Sequence, residues 1–369
     1  MVKMVRIILD SWRIAALMIV LLCTSSWCAS GRPQVSPAPP DALSRLVALH
    51  LAHQEGKVNA YYSNGLKALA LRDQAKIAAC ATWYSQQLHI SLPVTLAVLN
   101  KGDWDRIGRL ADYPMAEAFP EEGNVIFMPE SFASFPGQNT HADLGKKLDF
   151  IALHETGHLY QRALNLQGPD LFMQEFFATM MATAYALEFR PELLSNTLNS
   201  RTGTKQRYTS FEDMDLIYDG VGFDNYDWLQ VETVRLAVII VKGQHLDELV
   251  KRMQAAFPEG HAMSNAEVFH NLEAIRPGVT AQAGELAQPT TLPPIVPGEC
   301  LSAPGTEEGI GHFGVRNASD HGISVVDDGV PAVLPPGYTA EQGKIGSQFK
   351  LPSGKCITYP KTPGYILLN

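Results

Sequence analysis

The sequence predicts an α+β fold: a mostly helical domain that contains a small mixed sheet, followed by a small all-β module. Three observations lead to this prediction. Apolar residues recur every three or four positions through residues 42 to 89 and 143 to 189, as on the buried face of an α-helix. Runs rich in β-branched residues lie between those two regions. After a Pro-rich stretch at residues 276 to 298, the pattern changes to short β-like runs separated by Gly, Pro, Asn and Asp.

The first part of the folded chain is expected to supply two helices and then the sheet. The helices are predicted at "LSRLVALHLA" and "LKALALRDQAKIAACATWYSQQL". The segments "ISLPVTLAVLN" and "NVIFMP" are predicted strands, and Lys101-Gly102-Asp103 after the first of them indicates a turn. Between the two strands, the short apolar segment "YPMAEAFP" is flanked by prolines, which favours a strand at the edge of the sheet.

Three long helices are predicted next. They lie at residues 143 to 166, at "PDLFMQEFFATMMATAYALEF" after the break at Gly168-Pro169, and at "YDWLQVETVRLAVIIVK". The Pro-rich residues 276 to 298 are then expected to be a linker between a domain of residues 42 to 275 and a module of residues 299 to 369.

The C-terminal module is expected to be a small β structure closed by a disulfide. Its predicted strands are "HFGVRN", "GISVVDD", "PAVLP", "KCITYP" and "YILL", with a hairpin turn at Asp328-Gly329. Cys300 and Cys356 bracket this module and are expected to pair, whereas Cys80 lies in an apolar helical stretch and is expected to be buried.

The N-terminal segment indicates that the protein is exported. Residues 1 to 30 combine basic residues, the short apolar run "IAALMIVLLC" and small residues before Gly31, which is typical of a cleaved signal peptide. The apolar run is too short to span a membrane, so no stable membrane insertion is expected after cleavage. A Pro-rich spacer at residues 31 to 41 follows.

Removing the signal peptide takes away three basic residues and one acidic residue, so the formal net charge changes from −9 to −11. A protein with this negative charge is not expected to bind nucleic acid.

The candidate metal-binding and catalytic residues lie in "LDFIALHETGHLYQRAL", which contains His154, Glu155 and His158. Two histidines four residues apart share one face of a helix, about 6 Å apart along its axis, so both imidazoles can reach one tetrahedral ion. Glu155 is rotated to the adjoining side, where it can take a proton from a water molecule. The alternative is a buried helix whose histidines only make hydrogen bonds, but burying two imidazoles and a carboxylate together without a metal is costly.

A catalytic zinc site needs a third protein ligand and an open position. A third histidine at short spacing is absent because Gln161 and Leu164 occupy the corresponding positions, which excludes the metzincin pattern. Glu175 follows His158 after sixteen residues, near the start of the next helix, with Ala178 three positions on. The small residues that share the face of Glu175, namely Ala178, Thr179 and Ala182, would let the two helices approach closely.

In these residues the sequence resembles the gluzincin superfamily of zinc metallopeptidases, although the specific family is open. The resemblance implies a zincin-like domain with zinc held by His154, His158 and Glu175, and Glu155 as the general base. It also implies that the edge strand around residues 115 to 128 pairs with an extended peptide, and that a Tyr or His from a later helix stabilises the oxyanion. Tyr226 is the candidate for that role, with Tyr208, Tyr218 and His245 as rivals. Asp215 and Tyr218 form a pattern like part of the aspzincin signature, which leaves Asp215 as an alternative third ligand.

The resulting hypothesis is an exported, periplasmic or extracellular zinc metallohydrolase that cleaves amide bonds in a peptide or protein substrate. Two alternatives stay open. One is a zinc-containing binding protein whose peptidase-like site is closed or inactive, with the C-terminal module as its working surface. The other is a zinc hydrolase that acts on a non-peptide amide, because the same residues would carry out that chemistry.

Overall fold

The computed structural model of the protein describes residues 41–108, 110, 113–131, 143–166, 168, 171–199, 207–217, 223–258, 263–302 and 306–368. It confirms the α+β fold. The predicted signal peptide and residues 31 to 40 of the predicted spacer lie outside the described residues, as does Tyr218. In the described ranges, no helix has both the length and the apolar character needed to cross a membrane.

The N-terminal half builds a five-stranded mixed sheet. Its strands are β1 (Ala52–Gln54), β2 (Val58–Tyr62), β3 (Val94–Leu99), β4 (Glu117–Phe119) and β5 (Val125–Pro129), in the spatial order β1-β2-β3-β5-β4. The pairs β2–β3 and β3–β5 are parallel, and the outer pairs β1–β2 and β4–β5 are antiparallel. Three helices accompany these strands: α1 (Ala42–Ala48), α2 (Lys67–Leu88) and α3 (Lys101–Ile107). The predicted edge strand is therefore confirmed as β4.

Two strands in this region were not predicted, and one local prediction was wrong. β1 and β2 were not predicted, because they are short and their outer residues are polar, so neither presents a clear apolar run. The turn predicted at Lys101-Gly102-Asp103 is instead the first turn of α3. The side chain of Asn100 accepts a hydrogen bond from the Asp103 amide and so caps this helix at its N terminus.

The central part of the chain is helical. It contains α4 (Leu144–Ala163), α5 (Leu171–Phe189), α6 (Pro191–Leu198), α7 (Phe211–Ile217), α8 (Phe223–Val241), α9 (Leu246–Ala256), α10 (Asn265–Ile275) and α11 (Val279–Ala283), with a 3-10 turn at Gly284–Ala287. The three long helices predicted from apolar periodicity are α4, α5 and α8. Most residues of α5 are buried on all sides, so this helix is the centre of the main hydrophobic core.

Helix α4, which carries the His-Glu-x-x-His motif, is fixed between the sheet and α5. Leu148, Ala152 and Leu159 pack with buried residues of β2, β3 and β5 on one face of the sheet. Asp143 caps the N terminus of α4 by accepting hydrogen bonds from the amides of Gly145 and Lys146. The side of α4 that bears the histidines therefore faces away from the sheet and towards α5.

The C-terminal segment forms two small sheets. The strands are β6 (Ile310–Asn317), β7 (Ile323–Asp327), β8 (Val330–Leu334), β9 (Gly337–Lys344), β10 (Gln348–Lys350), β11 (Cys356–Thr358) and β12 (Gly364–Leu368). One sheet has the order β11-β10-β7-β8 and the other β12-β6-β9. Asp328 and Gly329, with φ of 44° and 83°, form the predicted hairpin turn between β7 and β8. The Cys300–Cys356 disulfide is present and Cys80 is buried, as predicted.

Helix α7 connects the C-terminal strands to the helical core. All seven of its residues are buried, and a Cβ added at Gly314 of β6 would lie 2.5 Å from the Cβ of Leu216. At its N-terminal end, Glu212 and Asp213 accept hydrogen bonds from the backbone and side chain of Thr290. The expected linker is thus partly ordered against the core, since it also contains α11 and the buried Leu286 and Leu292. The domain boundary at this linker stays a prediction.

Candidate metal centre

The two motif histidines lie one turn apart on α4 and point to a common position. Their Nε2 atoms are 3.0 Å apart, and their ring planes are nearly perpendicular, at 87°. Both side chains are largely buried, with 11% of His154 and 19% of His158 exposed. The helical spacing predicted this arrangement.

Glu175 on α5 completes a three-residue cluster with these histidines. One of its carboxylate oxygens lies 3.3 Å from Nε2 of His154 and the other lies 3.7 Å from Nε2 of His158. One ligand atom from each of the three residues can be chosen so that all lie within 4.8 Å of one another. Among the described residues, this is the one group of three or more His, Cys, Asp or Glu side chains with metal-binding geometry.

A close approach of α4 and α5 makes this cluster possible. A Cβ added at Gly157, which lies between the two histidines in sequence, would be 2.5 Å from the carbonyl oxygen of Ala178. Only glycine therefore allows the two helix backbones to come this near. The sequence suggested small residues on α5 for this purpose, but the contact point on α4 is Gly157, which had not been singled out.

Each member of the cluster also has an uncharged polar neighbour. Nδ1 of His154 lies 3.1 Å from Oγ1 of Thr179, and Nδ1 of His158 lies 3.2 Å from Oε1 of Gln161. The side-chain amide of Gln230, on α8, donates a hydrogen bond to Glu175. Gln161 follows His158 by three positions, whereas Thr179 and Gln230 lie on different helices from their partners, and the sequence did not identify any of the three as a hydrogen-bond partner.

Glu155 is held against the edge strand. Its carboxylate is 7% exposed and accepts a hydrogen bond from the backbone amide of Ala118 in β4. Burial raises the pKa of Glu155 to about 8, and the negative charges of Glu175 and Glu117 act in the same direction. The positive charge of His154 and the Ala118 amide oppose this shift. A carboxyl whose pKa lies near neutrality is suited to both accepting and returning a proton.

The electrostatics of the other three residues favour a bound cation. Burial lowers the pKa of His158 to about 4, and the nearby charge of His154 adds to the effect, so His158 is neutral near pH 7. Burial acts to raise the pKa of Glu175, but the hydrogen bond from His154 and the charges of both histidines outweigh it, and the net shift is downward. Burial acts to lower the pKa of His154, but Glu175 outweighs it and the net shift is upward. The downward shift of its pKa keeps Glu175 ionised at neutral pH, so the cluster contains a negative charge beside the two imidazoles.

Tyr226 lies one helical turn before Gln230 on α8. Residues four positions apart lie on the same face of a helix, so Tyr226 shares the face of Gln230, and its half-buried side chain packs against the main core. The same end of α8 is joined to α4 by an ion pair of 2.5 Å between Lys147 and Asp227.

The structure describes two of the rivals of Tyr226. Tyr208 is 6% exposed and packs in the main core. His245 caps α9, beyond the far end of α8 and roughly 16 Å along that helix from Gln230.

The alternative ligand Asp215 has a different role. Its side chain accepts a hydrogen bond of 2.6 Å from the backbone amide of Phe172, in the first turn of α5. It is not a member of the His154, His158 and Glu175 cluster. Asp215 therefore fixes the start of the helix that carries Glu175, and its other partner in the aspzincin-like pattern, Tyr218, lies outside the described residues.

The donor set fits a zinc ion. Two imidazole nitrogens and one carboxylate form a common type of catalytic zinc site, in which the fourth position is left for water or substrate. Each imidazole presents Nε2 to the centre and has an oxygen beside Nδ1, an arrangement that allows Nδ1 to carry the proton while Nε2 binds a metal. His154, His158 and Glu175 would hold the ion, and Glu155 would lie beside it.

Comparisons with known proteins give limited information. No family profile matches the sequence, and no curated protein sequence matches it significantly. A comparison with solved structures gives a match to the crystal structure of Legionella pneumophila aminopeptidase A in complex with aspartic acid. The similarity covers 80% of this chain at 12% identity, with a TM-score of 0.39, and spans 35% of the length of the Legionella protein. A likeness at this level does not establish a function, so the functional conclusion depends on the residues of the site.

Proposed function

We propose that this protein is an exported zinc metallohydrolase of the gluzincin type that hydrolyses amide bonds of peptides. The convergence of His154, His158 and Glu175 on one point, with the carboxyl of Glu155 beside it, is the observation that carries the proposal.

The metal ion, Glu155 and the backbone of Ala118 would each have a separate role in the proposed reaction. A bound zinc ion would supply a Lewis acid that polarises the scissile carbonyl and makes a water molecule acidic at neutral pH. The carboxylate of Glu155 takes a proton from the attacking water and transfers it to the nitrogen of the leaving amine. The hydrogen bond from the Ala118 amide orients this carboxylate, and its burial excludes bulk water from the proton transfer.

Strand β4 is the proposed binding surface for the substrate backbone. It lies at the edge of the sheet, and no described strand pairs with its outer side. The Ala118 amide points from β4 to Glu155, so an extended peptide beside β4 would pass next to the general base. Ala116 and the carbonyl group of Ala118 would supply main-chain hydrogen-bonding groups to such a peptide.

Tyr226 is the proposed donor to the oxyanion of the tetrahedral intermediate. Its support is its position one turn from Gln230, on the same face of α8 as this neighbour of Glu175. A phenol hydroxyl aimed at the developing negative charge typically contributes about 10²-fold or more to the rate.

Export is supported by two features. Residues 1 to 30 have the composition of a signal peptide, and the Cys300–Cys356 disulfide is of the kind that persists in an oxidising compartment.

The test compares the wild-type protein with Glu155→Gln and Glu175→Ala. Zinc per protein chain would be measured by mass spectrometry of the metal, and hydrolysis would be measured on a mixed peptide library. We expect Glu155→Gln to keep zinc and to lose at least about 10³-fold in rate, and Glu175→Ala to lose zinc. Glu192→Gln, which removes an exposed carboxylate on α6, is the control and should change neither property.

Full activity of Glu155→Gln would refute the proposed mechanism. Zinc binding without cleavage of any peptide in the library would instead favour a non-catalytic zinc protein. Cleavage of a non-peptide amide alone would retain the chemistry and change the substrate class.

A further inference from the structure

Three uncharged side chains surround the ligand cluster: Thr179, Gln161 and Gln230. Thr179 and Gln161 are 1% and 3% exposed, so their polar atoms are removed from solvent. Burying polar groups is costly unless they are hydrogen-bonded, and each of these two faces the Nδ1 atom of a motif histidine. Gln230 reaches the same cluster from another helix.

We propose that Thr179 and Gln161 are positioning residues of the metal centre, and that they preset the histidine tautomers for zinc. This inference rests on the proposed function, because it assigns these residues a role towards the same ion.

The tautomer argument applies to both histidines. A neutral imidazole carries one proton, so Nε2 is free to bind a metal only when the proton is on Nδ1. The hydroxyl oxygen of Thr179 and the carbonyl oxygen of Gln161 can each accept that N–H, at 3.1 Å and 3.2 Å. Without these acceptors, both tautomers and other ring angles would become populated, and zinc would have to select the competent form.

The third neighbour, Gln230, interacts with the carboxylate of Glu175 and lowers its pKa, while Thr179 lies one turn after Glu175 on the same helix and contacts His154. All three partners are uncharged. Glu175 would then be the only ligand that offsets the two positive charges of a zinc ion, so the centre would keep a net positive charge and its attraction for a developing oxyanion.

The experiment measures zinc affinity of the whole chain, at one fixed pH, by competition with a chromogenic chelator. Thr179→Val removes the hydroxyl at nearly constant volume, and Thr179→Ser restores it. Thr183→Val is the matched control: Thr183 lies one turn further along α5, is fully buried, and its hydroxyl has no hydrogen-bond partner among the described residues. Gln161→Leu tests the second histidine independently.

We expect zinc binding to weaken by about 10- to 100-fold in Thr179→Val and in Gln161→Leu. Thr179→Ser and Thr183→Val should stay within about threefold of the wild-type affinity, a margin well below that tenfold effect. The visible absorption of bound Co²⁺, which depends on coordination geometry, should change in Thr179→Val and not in Thr183→Val. Thermal unfolding of the metal-free variants checks that each one is folded.

Equal zinc affinity and equal Co²⁺ spectra in Thr179→Val, Gln161→Leu and the wild-type protein would overturn the inference while leaving the proposed function intact. Equal losses in Thr179→Val and Thr183→Val would also overturn it, since the effect would then come from packing. A wild-type protein that binds no zinc would refute the proposed function and this inference with it.

Discussion

Replacing Gly157 by alanine sets two effects of opposite sign against each other. Helix propensity alone favours alanine over glycine in a helix interior by about 0.5–1 kcal/mol. The added Cβ would, however, lie 2.5 Å from the carbonyl oxygen of Ala178 and 3.1 Å from the carbonyl carbon and Cα of the same residue. These atoms belong to the backbone of α5 and cannot rotate away, so the two helices would have to separate by about 1 Å.

The steric effect should win, and it should affect the metal more than the fold. Overpacking of this kind costs about 1–3 kcal/mol, which exceeds the gain from propensity. Glu175 is less than one turn from Ala178, so the separation would move its carboxylate by about the same distance, whereas metal–ligand distances tolerate only about 0.2 Å. We expect Gly157→Ala to lower the free energy of unfolding by about 1–2 kcal/mol and to weaken zinc binding at least about tenfold.

Chemical denaturation of the metal-free protein and chelator competition measure these two quantities. Gly102→Ala is the control, because Gly102 is in helix α3 and its added Cβ would meet only the side-chain oxygen of Asn100, at 3.5 Å. This control should be neutral or slightly stabilising. If Gly157→Ala were stabilised like the control and bound zinc as tightly as the wild-type protein, the proposed role of the close helix contact would be wrong.

Three further outcomes are expected. Because the pKa of Glu155 is raised from its ordinary value near 4.5 to about 8, the metal-free protein should lose stability as pH rises through that interval. Glu155→Gln should remove this loss, with an advantage on the order of 3 kcal/mol at pH 7 that vanishes near pH 4.5, measured by denaturation across pH; a pH-independent difference would contradict the assignment. Asp215→Ala should cost about 1–3 kcal/mol by uncapping α5 at Phe172 yet retain zinc, whereas loss of zinc would support Asp215 as a ligand. Reducing the Cys300–Cys356 disulfide should lower stability by about 2–4 kcal/mol without changing zinc content, as measured by denaturation and metal analysis with and without reductant; an unchanged stability would contradict this.

The sequence was informative where a local rule determines geometry. Helical spacing placed His154 and His158 on one face, and apolar periodicity located α4, α5 and α8. The Cys300–Cys356 disulfide, the burial of Cys80 and the turn at Asp328-Gly329 were also predicted correctly. These features depend on residues close in sequence, or on few pairing choices, so no knowledge of the packing was needed.

The sequence was less informative where contacts join distant elements. The bond from Ala118 to Glu155 links a strand to a helix, and the bond from Gln230 to Glu175 links two helices that are more than fifty residues apart in sequence. Gly157 could have been recognised, because glycine inside a helix needs a reason, but the partner backbone of Ala178 could not. A local example is Asn100: its side chain caps a helix that begins at Lys101, where the sequence had predicted a turn.

Helix α7 has a practical consequence for how the protein can be divided. Its residues are buried between the core and the C-terminal strands, and Leu216 lies directly under Gly314. A recombinant fragment that ended before residue 299 would expose apolar side chains of this helix, such as Leu216, to water, and they would promote aggregation. The same helix holds the first turn of α5 through Asp215, so such a fragment would weaken support for the helix that carries Glu175. The C-terminal strands are thus part of the smallest unit in which the metal chemistry should be studied.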